Sequence, residues 1–171
     1  MLVNPERLAR RGFSHFARER CGAALIEFSL IAFLLLFVIF STIEIGLVYW
    51  ATEQIENGSN SAARLVRTGQ VQTQSLNQAQ LKTEICARAH ILPNCLANLR
   101  LDVRSAASYA AIVPPDALDS DGELKEDNEF SFSPGAPQDV ALVTTFYSWP
   151  VSFFGGPYIL RASVPLRNEP F

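Results

Sequence analysis

The longest apolar stretch of the chain runs over residues 23–51, and from Leu30 to Phe40 no polar residue interrupts it. A bilayer crossing needs about 20 mainly apolar residues at about 1.5 Å each, a length that residues 28–49 supply. Tyr49 and Trp50 then stand where an aromatic interface belt belongs. A core helix this long needs a far larger protein around it, so the pattern predicts a transmembrane helix over residues 23–50. Beyond it, Ile55, Ser59, Ala62, Ala63 and Val66 recur at helical spacing with no proline across residues 52–66. The helix is therefore expected to continue outside the membrane and stop at Thr68-Gly69.

The Gln-rich residues 70–74 read as a linker, after which Ser75 can cap a second helix carrying Leu81, Ile85 and Ala89 on one face and ending before Pro93. From Leu99 the period changes to two. Leu99, Leu101 and Val103 alternate with Arg100, Asp102 and Arg104, the pattern of a half-buried strand. Residues 140–147 and 158–166, rich in β-branched and aromatic side chains, read as two more strands. Pro150 and Gly155-Gly156-Pro157 mark the turn between them. The expected fold is α+β: a long N-terminal transmembrane helix, a short second helix, and a small antiparallel sheet with helix over one face.

Charge orients this arrangement. The net charge of −3 conceals five arginines (Arg7, Arg10, Arg11, Arg18, Arg20) against Glu6 and Glu19 in residues 1–22. A basic end can signal nucleic acid, but arginines placed directly before an apolar span ordinarily hold that end in the cytoplasm, so no nucleic-acid partner is expected. Only Arg64 and Arg67 follow closely on the far side. Three regions follow: a basic cytoplasmic leader over residues 1–22, a span over residues 23–50, and an extracytoplasmic domain over residues 51–171. A cleaved secretory signal would have a shorter apolar core and a small-x-small site, neither of which fits. Cys21 precedes the apolar run, whereas a lipidated cysteine would follow one.

Cys86 and Cys95 both fall on the extracytoplasmic side, where a pair of cysteines is most simply a disulfide. The alternative is a metal site using His90, but two cysteines and one histidine supply three ligands of four at an unfamiliar spacing. His90 is then a solvated helix residue, and neither metal nor cofactor is expected. Seven acids occupy residues 116–129, and Asp119-Ser120-Asp121-Gly122 has the look of a calcium loop. Setting Gly122 at the loop glycine puts Ala117 and Asn128 at the two anchoring ligand positions, so a solvated acidic turn is the better reading. No Ser-His-Asp grouping or phosphate-cradling glycine loop is visible, and an enzyme is not expected.

The residues that speak most directly to function are Gly22-Ala23-Ala24-Leu25-Ile26-Glu27-Phe28 at the head of the span. A carboxylate there is costly in lipid and ordinarily has a partner. Cutting after Gly22 would give Ala23 a new ammonium and make Glu27 the fifth mature residue. This arrangement resembles the class III signal of type IV pilins and pseudopilins. The whole chain more narrowly resembles the TadE-like family, the minor pseudopilins of the tight-adherence (Flp) pilus system. Further segments carry that resemblance: Ile43-Glu44-Ile45-Gly46, Tyr49-Trp50, Cys86 with Cys95, Asp102-Val103-Arg104, Phe146-Tyr147-Ser148-Trp149-Pro150, and Arg167-Asn168-Glu169-Pro170-Phe171.

The resemblance implies a pilin-like fold in the bacterial inner membrane, with the N-terminus cytoplasmic and the domain periplasmic. It implies processing by a prepilin peptidase between Gly22 and Ala23, with Glu27 and Phe28 in recognition and assembly. Its implied partners are other pilin or pseudopilin subunits, pilus-assembly membrane proteins and membrane lipid. Glu44 is a possible second membrane acid, although Ser41 and Thr42 place it near the outer interface. The alternative is a signal-anchored extracytoplasmic binding protein unconnected with a pilus. A reporter enzyme fused after Trp50 is expected to be active only in its extracytoplasmic form, because the arginine excess precedes the span; activity of the cytoplasmic form would reverse the orientation.

Overall fold

The computed structural model describes residues 20–150 and 158–171. The leader arginines Arg7, Arg10, Arg11 and Arg18 and the Gly155-Gly156-Pro157 turn lie outside the described residues. The elements are α1 (Arg20–Arg67), the single turn α2 (Gln70–Thr73), α3 (Gln78–Arg88), the single turn α4 (Cys95–Asn98), β1 (Leu99–Ala106), β2 (Val140–Trp149) and β3 (Tyr158–Arg167). The α+β expectation holds: one long apolar helix, short helices and a three-stranded antiparallel sheet in the order β1-β2-β3. Two compact units divide at the boundary between Ile43 and Glu44.

In the first unit, α1 is apolar all round and its large side chains, from Leu25 to Phe40, are exposed. A helix apolar on every face is soluble only in lipid or a protein core. Ala24–Arg67 is long and apolar enough to cross a membrane. Its hydroxyls are satisfied within the helix: Ser29 donates to the Ile26 carbonyl at 2.8 Å, Ser41 to Phe37 at 2.6 Å and Thr42 to Val38 at 2.8 Å. Back-bonding of this kind leaves those hydroxyls with no need of water in hydrocarbon.

In the second unit, Ala51, Ile55, Ser59, Ala62 and Val66 are fully buried, one every three or four residues along α1. They face the side of the sheet carrying Leu99, Leu101, Val103, Val143, Thr145, Tyr147, Leu160 and Ala162, which the strand register brings to one surface. The small residues let the helix approach closely, and the Ser59 hydroxyl donates to Thr145 Oγ1 at 2.8 Å in the interior. Gly58 is equally constrained, since a Cβ there would lie 2.8 Å from Ile85 Cγ2 and 3.0 Å from the Ile85 carbonyl oxygen of α3.

The stop at Thr68-Gly69 is observed, with Gly69 at φ +72°. The Phe171 ring occupies the place a Cβ would take there. Three expectations need correction. Residues 70–74 are not a plain linker, because burial of Val71 winds Gln70–Thr73 into the turn α2. Ser75 does not cap α3: it lies at φ +53°, and Asn77 caps instead. Asn77 Oδ1 accepts from the Gln80 N–H at 2.8 Å and Gln80 Oε1 accepts from the Asn77 N–H at 2.9 Å, a reciprocal box worth about 1 kcal/mol. Nor is β1 simply half-buried. Asp102 is fully buried, accepting from Arg104 Nε at 2.8 Å and the Ser131 N–H at 2.9 Å, because the connection between β1 and β2 folds back over its outer side.

Gly58→Val is expected to destabilise the domain by about 2 kcal/mol through overpacking against Ile85. Gly46→Val, where nothing lies within 4 Å of the added Cβ, should leave the denaturant midpoint of the detergent-solubilised protein unchanged.

Candidate functional site

The sequence motif lies in the first turns of α1. Gly22 is helical and exposed, and a Cβ added to it would meet nothing within 4 Å. Glycine inside a helix costs about 1 kcal/mol relative to alanine. Among the described residues no packing requires a glycine at this position. Ala23 follows within the helix. Glu27 lies one turn beyond Ala23 on the same side, as residues four apart do. Glu27 is exposed and Phe28 is 70% exposed. The structure thus presents Gly22, Glu27 and Phe28 on an open helix surface, available to a second protein.

Glu44 is placed differently. Its residue is 4% exposed and belongs to the folded unit. With Ile45, Val48, Tyr49, Thr52 and Tyr158 it lines an apolar groove of about 540 Å³. The two acids of α1 therefore have opposite surroundings, Glu27 on the open helix and Glu44 against the domain.

Cys86, near the end of α3, and Cys95, at the start of α4, form a disulfide with a Cα–Cα distance of 5.8 Å. Both sulfurs are consumed by that bond, and His90 is exposed but lies in a turn and not on the helix as expected, because α3 stops at Arg88. The loop they close is fastened a second time, by Tyr147 Oη of β2 donating to the Pro93 carbonyl at 2.6 Å. Burial raises the Tyr147 phenol above its ordinary pKa, opposed by a side-chain hydrogen bond with Asn98 that lowers it. Neither Asn98 nor Pro93 had any signal in the hydrophobic pattern that tied it to Tyr147.

The acidic segment closes on itself. Asp119 Oδ1 accepts from the Asp121 and Glu123 N–H groups, each at 2.9 Å, while Gly122 takes φ +81°. One carboxylate oxygen that a cation would need is thus held by backbone. Other acids of the segment work structurally: Asp127 Oδ2 receives Lys82 Nζ at 2.6 Å, and Arg100 Nε lies 3.8 Å from Asp127 Oδ1. This junction of α3, β1 and the acidic segment was not legible in the sequence, since its members are 45 residues apart along the chain.

A family model described as TadE-like protein matches residues 22–64, the family that the motif resembles. The match opens on Gly22 and takes in Glu27, Glu44 and the buried stripe of α1 from Ala51 to Ala62. Neither the curated proteins nor the solved structures contain a match to this chain.

Two outcomes are expected. Non-reducing peptide mapping should link Cys86 to Cys95 with Cys21 outside the pair, and a Cys86→Ser/Cys95→Ser variant should lose about 2 to 3 kcal/mol by the chain-entropy account of so short a loop. Alkali should weaken the domain through Tyr147. Because the folded phenol holds its proton more tightly than the unfolded one, its contribution is complete below about pH 10 and is lost as pH rises through the raised folded value. Tyr147→Phe should flatten that part of the alkaline unfolding curve.

Proposed function

We propose that this chain is a minor pseudopilin-like subunit that helps to build a tight-adherence pilus, acting structurally and not as an enzyme. The observation that carries the reading is the pairing of Gly22 with Glu27 at the head of an exposed apolar helix, inside the segment that matches the TadE-like family. Among the described residues nothing makes steric use of the glycine at position 22, as expected of a residue read by a peptidase. The match supports a connection with pilus-system proteins; the cut, the partners and the orientation are this proposal's own.

The leader and its arginines stay in the cytoplasm, a prepilin peptidase at the inner-membrane face cuts between Gly22 and Ala23, and the domain stands in the periplasm. The lipid-facing segment is residues 24–43. At about 1.5 Å per residue its roughly 20 residues span about 30 Å, the thickness of the hydrocarbon core. The division of the chain just after Ile43 supports that outer limit. The released Ala23 ammonium of one subunit pairs with Glu27 of a neighbour among the helices. In a low-dielectric bundle each charge is costly alone and tolerable only in the pair, so Glu27 serves as an assembly test.

Without processing, the same architecture would serve as an anchored extracytoplasmic binding protein, and mutation separates the two. Gly22→Leu should leave the leader attached, shown by mass spectrometry of the N-terminus, and abolish piliation. Glu27→Ala should still be cut but assemble at least about tenfold less pilus, because one member of a buried pair is left stranded, a cost of about 3 to 5 kcal/mol. Normal piliation by Glu27→Ala would overturn the pairing. Normal function of Gly22→Leu would leave the anchored binding protein as the better account.

A further inference from the structure

The two edges of the sheet differ. On β1, Val103 points its backbone groups outward: its N–H donates to the Ser131 carbonyl at 2.8 Å, and its carbonyl accepts from the Ser133 N–H at 2.7 Å. The Leu101 carbonyl accepts Gln78 Nε2 at 2.6 Å. The outer edge of β1 is thus closed at two successive outward-facing residues by the chain's own segments.

The phase of β3 follows by two routes. A hydrogen-bonded antiparallel pair exchanges both N–H···O bonds, and proline has no N–H. Pro165, opposite Leu142, therefore sits in a non-hydrogen-bonded pair, and by alternation so do Ser163 opposite Thr144, Arg161 opposite Phe146 and Ile159 opposite Ser148. Independently, Val103 facing outward from β1 makes Val143 face β3, which again turns Ser163 away from β2. Ile159, Arg161 and Ser163 consequently aim their N–H and C=O groups out of the sheet. Arg161, Ser163 and Pro165 are exposed, and among the described residues no backbone group pairs with them from that side.

A ten-residue edge strand with three consecutive outward donors is a template for strand addition. Pro165 ends the template, leaving residues 159–163. Its outer face carries Arg161, whose guanidinium lies 5.6 Å from the Phe146 ring centroid, and Arg167 follows on the same face. β3 contains no acid. We infer that the β3 edge of this domain receives an extended strand from another protein, antiparallel or parallel over residues 159–163, with an Asp or Glu opposite Arg161. A second copy of this chain fits poorly: its β1 edge is occupied, and pairing β3 with β3 sets either Arg161 against Arg161 or Pro165 at the ladder's end. The inference does not depend on cleavage at Gly22, since an anchored, uncut chain presents the same edge.

The test uses the full chain in its native membrane. A photo-crosslinker at Ser163 should capture one protein through a peptide with an acid at the position facing Arg161, whereas a crosslinker at Tyr109 should not. Amide exchange of residues 159–163 should be at least about tenfold slower in the membrane than in the purified chain. Ser163→Pro removes an outward N–H that no described residue uses, together with a hydroxyl that accepts from Arg161 Nε at 3.1 Å, and should abolish both signals while leaving the Cys86–Cys95 bond formed. Arg161→Glu should weaken capture about tenfold, by setting like charges opposite each other, and does not alter the backbone. If Ser163→Pro fails to fold, Arg161→Glu and the exchange measurement still decide. Capture of a second copy through β3, equal exchange in membrane and solution, or unaltered capture by both variants would each overturn the inference.

Discussion

The fold of the domain depends on one surface, the contact between the far half of α1 and the inner face of the sheet. Three strands cannot make a stable core alone, because one face of so small a sheet needs a covering layer. Ala51, Ile55, Ser59, Ala62 and Val66 supply it. Their small size matters as much as their apolarity. It brings the helix close enough for the Ser59 hydroxyl to reach Thr145 in the middle of the central strand, satisfying two groups that burial would otherwise penalise.

Around that contact the remaining pieces act as fasteners. The chain beyond β3 returns to the end of α1, where the Glu169 N–H donates to the Arg67 carbonyl at 2.9 Å and Phe171 lies on Gly69. Asn168 Nδ2 donates to the Pro134 and Ala136 carbonyls, each at 2.9 Å, holding the approach to β2. The disulfide and Tyr147 secure the loop between α3 and α4. On the outer face, Phe130 meets Phe146 at 5.5 Å between ring centroids, so a connection without long regular elements still covers part of that face. Each of these contacts is modest alone; together they order a domain whose core is thin.

One helix meets the demands of two solvents along its length. Up to Ile43 it is dominated by exposed apolar side chains and hides its hydroxyls in its own backbone; from Ala51 a buried stripe is apolar or small and the exposed residues are mainly polar. On the proposed reading, the chemistry lies at the head of that helix and along the outer edge of β3, and the interior holds those surfaces in register.

The sequence by itself determined the long apolar helix, its continuation to Arg67, the three strands, the cysteine pair and the motif from Gly22 to Phe28, because each is a local or periodic signal. A period of 3.6 or 2, a run of twenty apolar residues, or a glycine five residues before a glutamate is legible without knowing what lies opposite. Tertiary structure alone decided the capping by Asn77 in place of Ser75, the winding of residues 70–73, the burial of Asp102 and the pairing of Lys82 with Asp127. It also decided that the outer edge of β1 is covered by the connection to β2. In each case the deciding partner lies on another element or in an irregular connection. Periodicity reports which face a residue occupies and carries no information about what the chain later lays across that face.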